Sequence, residues 1–190
     1  MLTAVLKKEV LYGRTACRLF MAGVFVSLIT LGAFVRIPLP FTPVPFTLQT
    51  FFVLLSAVMM GRRWGVFVQV LYLALGISGI SVFAHTGSGL LYLAGPTGGY
   101  LFGFLLAALF VGGLAGWAKK SFIRLAGLLT LGGMVILLAG TLWLRLLTGS
   151  TFKAAFLIGF VPFAFAEASK AVLAASVYMK LRHRMREILG

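Results

Sequence analysis

Acidic side chains are almost absent from this chain of 190 residues, which has three glutamates and no aspartate. Two of the glutamates, Glu9 and Glu187, lie in basic segments near the ends of the sequence. With no aspartate, no clustered histidines and no persuasive pairing of a nucleophile with a base, the sequence lacks the arrangements from which active sites are usually built. We therefore expect a protein that is not an enzyme.

Cysteine and histidine are equally scarce. The single cysteine, Cys17, excludes an intramolecular disulfide and any site with several cysteine ligands. The two histidines, His85 and His183, are far apart in the sequence, so no metal centre is expected. The Gly-Lys-Ser/Thr ending of a nucleotide-binding phosphate loop is also missing, and we expect this chain to bind no cofactor.

Hydrophobic residues, in contrast, make up 61% of the chain, and charged residues only 11%. A water-soluble fold could not bury that much apolar surface. Apolar stretches recur that are long enough to cross roughly 30 Å of hydrocarbon as helices. The first of them is longer than a secretory h-region and lacks a convincing cleavage site, so we expect it to remain as a span. The sequence predicts one domain over residues 1–190, an all-α bundle of about six transmembrane helices. The predicted spans lie near residues 17–35, 47–61, 65–82, 98–118, 122–145 and 154–179.

The lysines and arginines are distributed unevenly between the predicted loops. Thirteen of the seventeen fall on one side, namely Lys7, Lys8, Arg14, Arg18, Arg62, Arg63, Lys119, Lys120, Arg124, Lys180, Arg182, Arg184 and Arg186. The other side has Arg36, Arg145 and Lys153. Because cytoplasmic loops carry the excess of positive charge, both termini are predicted to be cytoplasmic. Short basic clusters at the ends of spans are typical of contacts with anionic lipids, so we expect membrane lipids, and no nucleic acid, as partners.

Glu167 and Lys170 interrupt the apolar character of the last predicted span. Residues three apart on a helix share a face, so both side chains can reach one point. Charges inside a bilayer cost several kcal/mol unless they are paired or face a polar cavity, which makes these two residues candidates for a functional site. The alternative is an intrahelical ion pair that only neutralises itself within the bundle.

Four of the six prolines fall in the predicted outer loop from Arg36 to Thr47. Prolines at this spacing prevent a regular helix and favour an extended, stiff segment. We expect a semi-rigid lid, with Phe41 and Phe46 on its apolar underside and Thr42 supplying a hydroxyl. The alternative is a plain connector between two spans.

A second outer loop, residues 82–100, is rich in glycine and leads directly into the fourth predicted span. Glycine allows close backbone approach, and Pro96 can start a helix where its missing N–H costs little. The amides of Thr97, Gly98 and Gly99 could then receive an anionic group. Alternatively, the glycines serve only tight helix packing. The packing role is also expected for Gly103, Gly112, Gly113 and Gly116.

Several stretches carry a pattern shared with a known family. They are Gln49–Val53 (QTFFV), Gln69–Gly76 (QVLYLALG), Val82–Ala84 (VFA), Gly95–Gly103 (GPTGGYLFG) and Glu167–Lys170 (EASK). On these residues the chain resembles the BioY family of biotin transporters, the substrate-binding S components of energy-coupling factor (ECF) transporters. The Gly-Pro-Thr-Gly-Gly-Tyr element is the most specific part of the match. Position 167 is Glu here where the family often has Asp, and residues 120–150 carry no family motif.

The resemblance implies a multi-pass protein of a prokaryotic inner (cytoplasmic) membrane that mediates biotin uptake. Its implied partners are the ECF transmembrane coupling subunit and the ATPase subunits, which would use the ATP. Gly23 and Ser27, four apart on the first span, form a small-residue face that is a candidate docking surface for the coupling subunit, or else an intramolecular packing face. The alternative function is a stand-alone ion-coupled secondary carrier for biotin or another vitamin-like molecule, in which Glu167 also exchanges a proton.

The chemistry of biotin matches the charged pair. Glu167 can accept hydrogen bonds from the ureido N–H groups, and Lys170 can donate to the ureido carbonyl. The tail carboxylate can meet the amides of residues 97–99 or a lid hydroxyl such as Thr42. Further candidates are polar supplements and aromatic covers for the apolar ring: Gln49, Tyr72, Tyr100, Phe46 and Phe83.

Overall fold

Helices dominate the computed structural model of this chain, which describes the backbone of residues 2–189 and the side chains of residues 13–182. In chain order the elements are α1 (Leu2–Phe34), β1 (Arg36–Ile37), β2 (Phe46–Thr47), α2 (Gln49–Ile77), α3 (Leu90–Ala94), α4 (Gly98–Ala118), α5 (Phe122–Thr148), α6 (Phe152–Gly159) and α7 (Val161–Leu189). A short 3₁₀ turn, Ala84–Thr86, lies in the loop after α2. The predicted all-α membrane fold is confirmed. Side chains named above that lie outside the described residues are those of Lys7, Lys8, Glu9, His183, Arg184, Arg186 and Glu187.

The α2 stretch is a helical hairpin, because the chain reverses at Gly61 (φ 75°, ψ −175°). In a continuous helix, Gln49 and Tyr72 would be about 35 Å apart along the axis. Instead the Gln49 Nε2 atom lies 2.6 Å from the Tyr72 hydroxyl. A second cross-link joins Gln69 Nε2 to the Ser56 hydroxyl at 3.0 Å. The arms 49–60 and 62–77 correspond to the predicted second and third spans, and the tip carries the arginines that marked the break between them.

Substituting alanine for Gly61 is expected to lower the free energy of unfolding by about 1–3 kcal/mol, because this backbone region is open almost only to glycine. A side chain there would meet nothing within 4 Å, so the loss isolates backbone strain. Gly127→Ala in α5 is the control, since Gly127 also has open space around it and no positive φ. Denaturant unfolding in detergent measures both variants, and equal stability of the two would contradict the expectation.

The helices that can cross a membrane form a bundle. Among the described residues, four helical stretches are long and apolar enough, namely Gly13–Phe34, Gln49–Ile77, Gly98–Ala118 and Phe122–Thr148. Counted as one span, the bent pair Phe152–Gly159 and Val161–Arg182, whose axes differ by 44°, makes a fifth. Because Gln49–Ile77 folds back on itself, its two arms count as separate helices. The bundle therefore has about six helices. The cytoplasmic location of both termini stays a prediction.

The break between α6 and α7 differs from the continuous last span that the sequence predicted. Pro162 has no backbone N–H to donate to the preceding turn. The Phe163 amide bonds to the Phe160 carbonyl at 3.1 Å, which leaves the Gly159 carbonyl without its usual helical donor. The Tyr100 hydroxyl on α4 donates to that carbonyl at 2.7 Å. Since a free carbonyl at membrane depth is costly, Tyr100 stabilises the bend.

Helix α4 lies against both α2 and α5, and two of its glycines allow the close approach of these helices. A Cβ atom on Gly112 would lie 2.7 Å from the backbone of Arg62 at the tip of the α2 hairpin. A Cβ atom on Gly103 would lie 2.9 Å from the Cα atom of Ile136 on α5. The packing role predicted for these two glycines agrees with the contacts. Gly113 and Gly116 have no such close neighbour.

Candidate functional site

The proline-rich segment forms a short antiparallel hairpin, which is called the lid here (residues 36–47). Arg36 pairs with Thr47 and Ile37 with Phe46 across its two strands. The Leu48 amide bonds to the Gly32 and Val35 carbonyls at 3.1 and 3.2 Å, which fixes the base of the lid to the end of α1. The extended conformation agrees with the prediction from proline spacing, although the sequence did not indicate the strand pairing.

The charged pair on α7 is buried beneath the lid. Glu167 is 3% exposed and Lys170 is 5% exposed. Lys170 Nζ donates to Glu167 Oε1, to the Thr50 hydroxyl at 2.6 Å and to the Thr47 carbonyl at 2.9 Å. It also lies 4.4 Å from the centre of the Phe46 ring. An ammonium group has three donors, so all the donors of Lys170 are engaged.

The two oxygens of the Glu167 carboxylate differ in their surroundings. Oε1 accepts from Lys170 and, at 2.9 Å, from the Thr50 hydroxyl. Oε2 is buried and has no hydrogen-bond partner among the described residues. A buried polar atom without a partner is rare and calls for an explanation. Lys170 and Thr50 therefore orient the carboxylate and leave one oxygen available to accept a hydrogen bond.

Glu167 forms part of the wall of a cavity between the lid and five helices, α2, α3, α4, α5 and α7. The remaining lining residues are Val44, Pro45 and Thr47 of the lid, Gln49, Thr50, Ala84, Tyr92, Thr97, Tyr100, Leu101, Phe104, Ile136, Leu137 and Phe163. The free volume is about 50 Å³. Ligand pockets usually have roughly 300–1,000 Å³, mostly apolar walls and a few placed polar groups. This cavity has such walls but is much smaller. The lid contributes three residues to this wall.

Four residues predicted from the sequence line this cavity: Gln49, Thr97, Tyr100 and Glu167. Lys170 and Phe46 are not among the lining residues, but Lys170 contacts Glu167, Thr47 and the Phe46 ring. The Thr42 hydroxyl accepts from the Val44 amide at 3.3 Å, a local bond within the lid. For these residues a direct ligand contact stays a prediction.

Tyr72 and Phe83 form a supporting layer behind the cavity wall. The Tyr72 hydroxyl accepts from Gln49 at 2.6 Å and donates to the Val82 carbonyl at 3.0 Å, which connects α2 to the following loop. Phe83 is fully buried and stacks on Tyr92, with ring centres 5.0 Å apart. Phe83 does not line the cavity itself. It packs against Tyr92, which does.

Gly98 and Gly99 occupy crowded positions at the start of α4. A Cβ atom on Gly98 would lie 1.7 Å from the Leu93 carbonyl oxygen, and one on Gly99 would lie 2.1 Å from the Trp143 Cβ atom. The Gly98 amide already bonds to the Gly95 carbonyl at 3.1 Å. These contacts support the packing alternative, and the anion-binding role stays a prediction. Pro96 lies in the turn before the helix, not at its first position as predicted.

Sequence reasoning missed several lining residues, and Thr50 is the most important of them. Its partner Glu167 is 117 positions away, so no local spacing could connect the two. Phe163 could have been found, since it is one helical turn before Glu167 and shares its face. Tyr92 carries no periodic signal because it lies on the short helix α3 within a loop.

Comparison with known proteins places the chain in a family. The sequence model of the BioY family matches residues 7–187, nearly the whole chain. The chain belongs to the BioY family. The biotin transporter BioY of Thermotoga maritima is 42% identical over 165 residues, which is 87% of this chain and 95% of that protein. The probable biotin transporter BioY of Pyrococcus horikoshii is 36% identical, with coverage of 85% and 94%.

A solved structure shows the same fold. The crystal structure of the S-component for biotin from an ECF-type ABC transporter superposes with a TM-score of 0.78 at 24% identity, covering 89% of this chain and 92% of that chain. The family model and the relatives confirm the resemblance inferred from the sequence, and the solved structure confirms the fold. In this BioY-family chain, four of the five stretches that carried the resemblance contribute to the cavity wall, through Gln49, Ala84, Thr97, Tyr100 and Glu167.

Proposed function

We propose that this chain is the biotin-binding S component of an ECF-type ABC transporter and mediates biotin uptake across the cytoplasmic membrane. The observation that carries the proposal is the free Oε2 atom of Glu167, a buried acceptor on the wall of a largely apolar cavity. The ureido ring of biotin carries N–H donors that can bond to such an acceptor. The curated relatives at 42% and 36% identity are named as biotin transporters, which supports the same ligand here.

The polar end of the site favours a ligand that donates hydrogen bonds. Glu167 Oε2 accepts from a ureido N–H, while Lys170 and Thr50 hold the other oxygen in place. A charge-assisted hydrogen bond in a site without water is strong and selective in geometry. Donation from Lys170 to the ureido carbonyl requires that it release Thr47 or Thr50 first. The apolar ring and methylenes of the ligand fit the aromatic and aliphatic wall formed by Phe104, Phe163 and Ile136.

Binding requires the cavity to widen. A free volume of about 50 Å³ is too small for biotin, so surrounding residues move apart when it enters. The lid is a two-stranded hairpin rather than a helix, and its residues Val44 and Pro45 line the cavity. Outward movement of the lid admits the ligand, and its return encloses the ligand.

The face of α1 around Gly23 and Ser27 is the proposed contact with the coupling subunit. A Cβ atom on Gly23 would meet nothing within 4 Å among the described residues. The Ser27 hydroxyl bonds only within its own helix, to the Gly23 carbonyl at 3.1 Å. Leu19 and Phe20, beside them in a shallow groove, are 49% and 71% exposed. These contacts do not support intramolecular packing of this face, and they leave it open to a partner helix.

Thr50→Val is expected to weaken biotin binding about 10-fold, because Glu167 Oε1 loses a donor and the carboxylate loses its fixed orientation. Valine keeps the shape of the side chain, whereas Thr50→Ser keeps the hydroxyl and is expected to bind like the parent. Equilibrium dialysis with labelled biotin measures all three proteins. A serine variant as weak as the valine variant would assign Thr50 a packing role instead.

Uptake by proteoliposomes tests the proposed transport class. We expect labelled biotin to accumulate only when a coupling subunit and ATPase subunits are reconstituted with this chain and ATP is supplied to them. Accumulation without these subunits that collapses with the proton gradient would establish the alternative, a stand-alone ion-coupled carrier.

A further inference from the structure

The proposed ligand ends in a carboxylate, and the outer end of the bundle offers few cations to receive it. Among the described residues, the cations on that side are Arg36, Arg145 and Lys153. Glu167 is the one acidic side chain within residues 13–182, and its ion pair is with Lys170. Arg36 therefore has no carboxylate within that part of the chain to pair with, and it remains able to bind an external anion.

The strand register places Arg36 on the same face of the lid as Thr47. Arg36 and Thr47 lie directly opposite each other in the antiparallel lid. Side chains at directly opposed positions project from the same face of a hairpin. Thr47 lines the cavity, and its hydroxyl donates at 3.3 Å to Gln49 Oε1, another residue of the wall. The Arg36 side chain consequently starts from the face of the lid that covers the cavity.

Tyr92 gives a second, independent indication of where the guanidinium lies. Burial raises the pKa of the Tyr92 hydroxyl, while a hydrogen bond with Thr97 and the positive charge of Arg36 oppose that rise. Tyr92 and Thr97 both line the cavity. The charge of Arg36 thus acts on Tyr92, a residue of the cavity wall.

We propose that Arg36 binds the tail carboxylate of the ligand at the mouth of the cavity and makes the site selective for ligands with an anionic end. This inference rests on the proposed function. Arg36 is exposed, so it can meet a group that emerges from the cavity without being buried itself. A guanidinium group presents paired N–H donors that match a carboxylate in two parallel hydrogen bonds, which an ammonium group cannot reproduce.

Two ligands separate this role from a structural one. Biotin and biotinol, in which an alcohol replaces the carboxylate, are titrated into the purified full chain, Arg36→Gln, Arg36→Lys and Arg145→Gln. Arg36→Gln is expected to weaken biotin about 10-fold and to leave biotinol within about twofold, because only biotin carries the charge that Arg36 contacts. Arg36→Lys is expected to lose less than the glutamine variant. Arg145→Gln, which removes an exposed outer charge on α5, is expected to change neither affinity.

Three results would overturn the inference. An equal loss for biotin and biotinol in Arg36→Gln means that Arg36 supports the lid and does not contact the carboxylate. Unchanged biotin affinity in that variant removes Arg36 from the site while leaving the proposed function standing. A folded parent that binds neither ligand overturns the proposed function and this inference together.

Discussion

Glu167→Gln is expected to weaken biotin binding by about 100-fold. The amide replaces a charge-assisted hydrogen bond with a neutral one, and it can also turn an N–H donor toward the ureido N–H. Hydrogen bonds to charged groups contribute about 1.5–3 kcal/mol each. The variant also leaves Lys170 as a buried cation without its counter-ion, which costs about 3–5 kcal/mol of folding free energy. Equilibrium dialysis and thermal unfolding of the same samples measure the two losses separately.

A double variant, Glu167→Gln with Lys170→Met, keeps this prediction interpretable. Removing both charges relieves the unpaired cation, so stability is expected to return toward that of the parent while binding stays lost. If the folded double variant bound biotin within about threefold of the parent, the charged pair would be no more than a neutralised ion pair. That result would restore the alternative that the sequence left open.

Gly112→Ala is expected to destabilise the bundle by about 1–3 kcal/mol or more, because an added Cβ atom would clash with backbone that has no rotamer to change. The atom would lie 2.7 Å from the N and Cα atoms of Arg62 and 2.9 Å from the Gly61 carbonyl carbon. The α2 hairpin tip must then separate from α4. Denaturant unfolding in detergent measures the change.

Gly116 provides the matched control, one turn further along α4. A Cβ atom there would meet nothing within 4 Å. Gly116→Ala is expected to be neutral or to stabilise by up to about 1 kcal/mol, since alanine is the better helix former. If both alanine variants were equally stable, α4 and the α2 hairpin would not approach as closely as the structure shows.

The fold could largely be predicted from the sequence because membrane spans depend on length and hydropathy. Arg62 and Arg63 were assigned to a loop between two short apolar runs, since charges are excluded from the hydrocarbon, and the chain reverses beside them at Gly61. The bend between α6 and α7 was missed because both pieces are apolar and together match one span. Pro162 was its local signal, but prolines are tolerated within transmembrane helices when neighbours supply hydrogen bonds, as Tyr100 does here.

The sequence predicts a site residue well when burying its charge in the membrane is costly. It predicts less well the contacts that depend on how helices and loops pack. Glu167 was found because an intramembrane carboxylate demands a reason. The hydrogen bonds around Glu167 were not predicted. Lys170 bonds to Thr50 and to the Thr47 carbonyl because of the position of the lid. Gly98 and Gly99 have a composition typical of an anion site, yet only their distances to Leu93 and Trp143 reveal how crowded they are.

Calorimetric titration of biotin into the purified, detergent-solubilised chain tests the central claim most directly, with Glu167→Ala as the paired protein. We expect saturable binding of one biotin per chain to the parent, largely lost in the alanine variant while near-native helical content is retained. A parent that is folded but releases no heat of binding, and retains no labelled biotin in dialysis, would contradict the account.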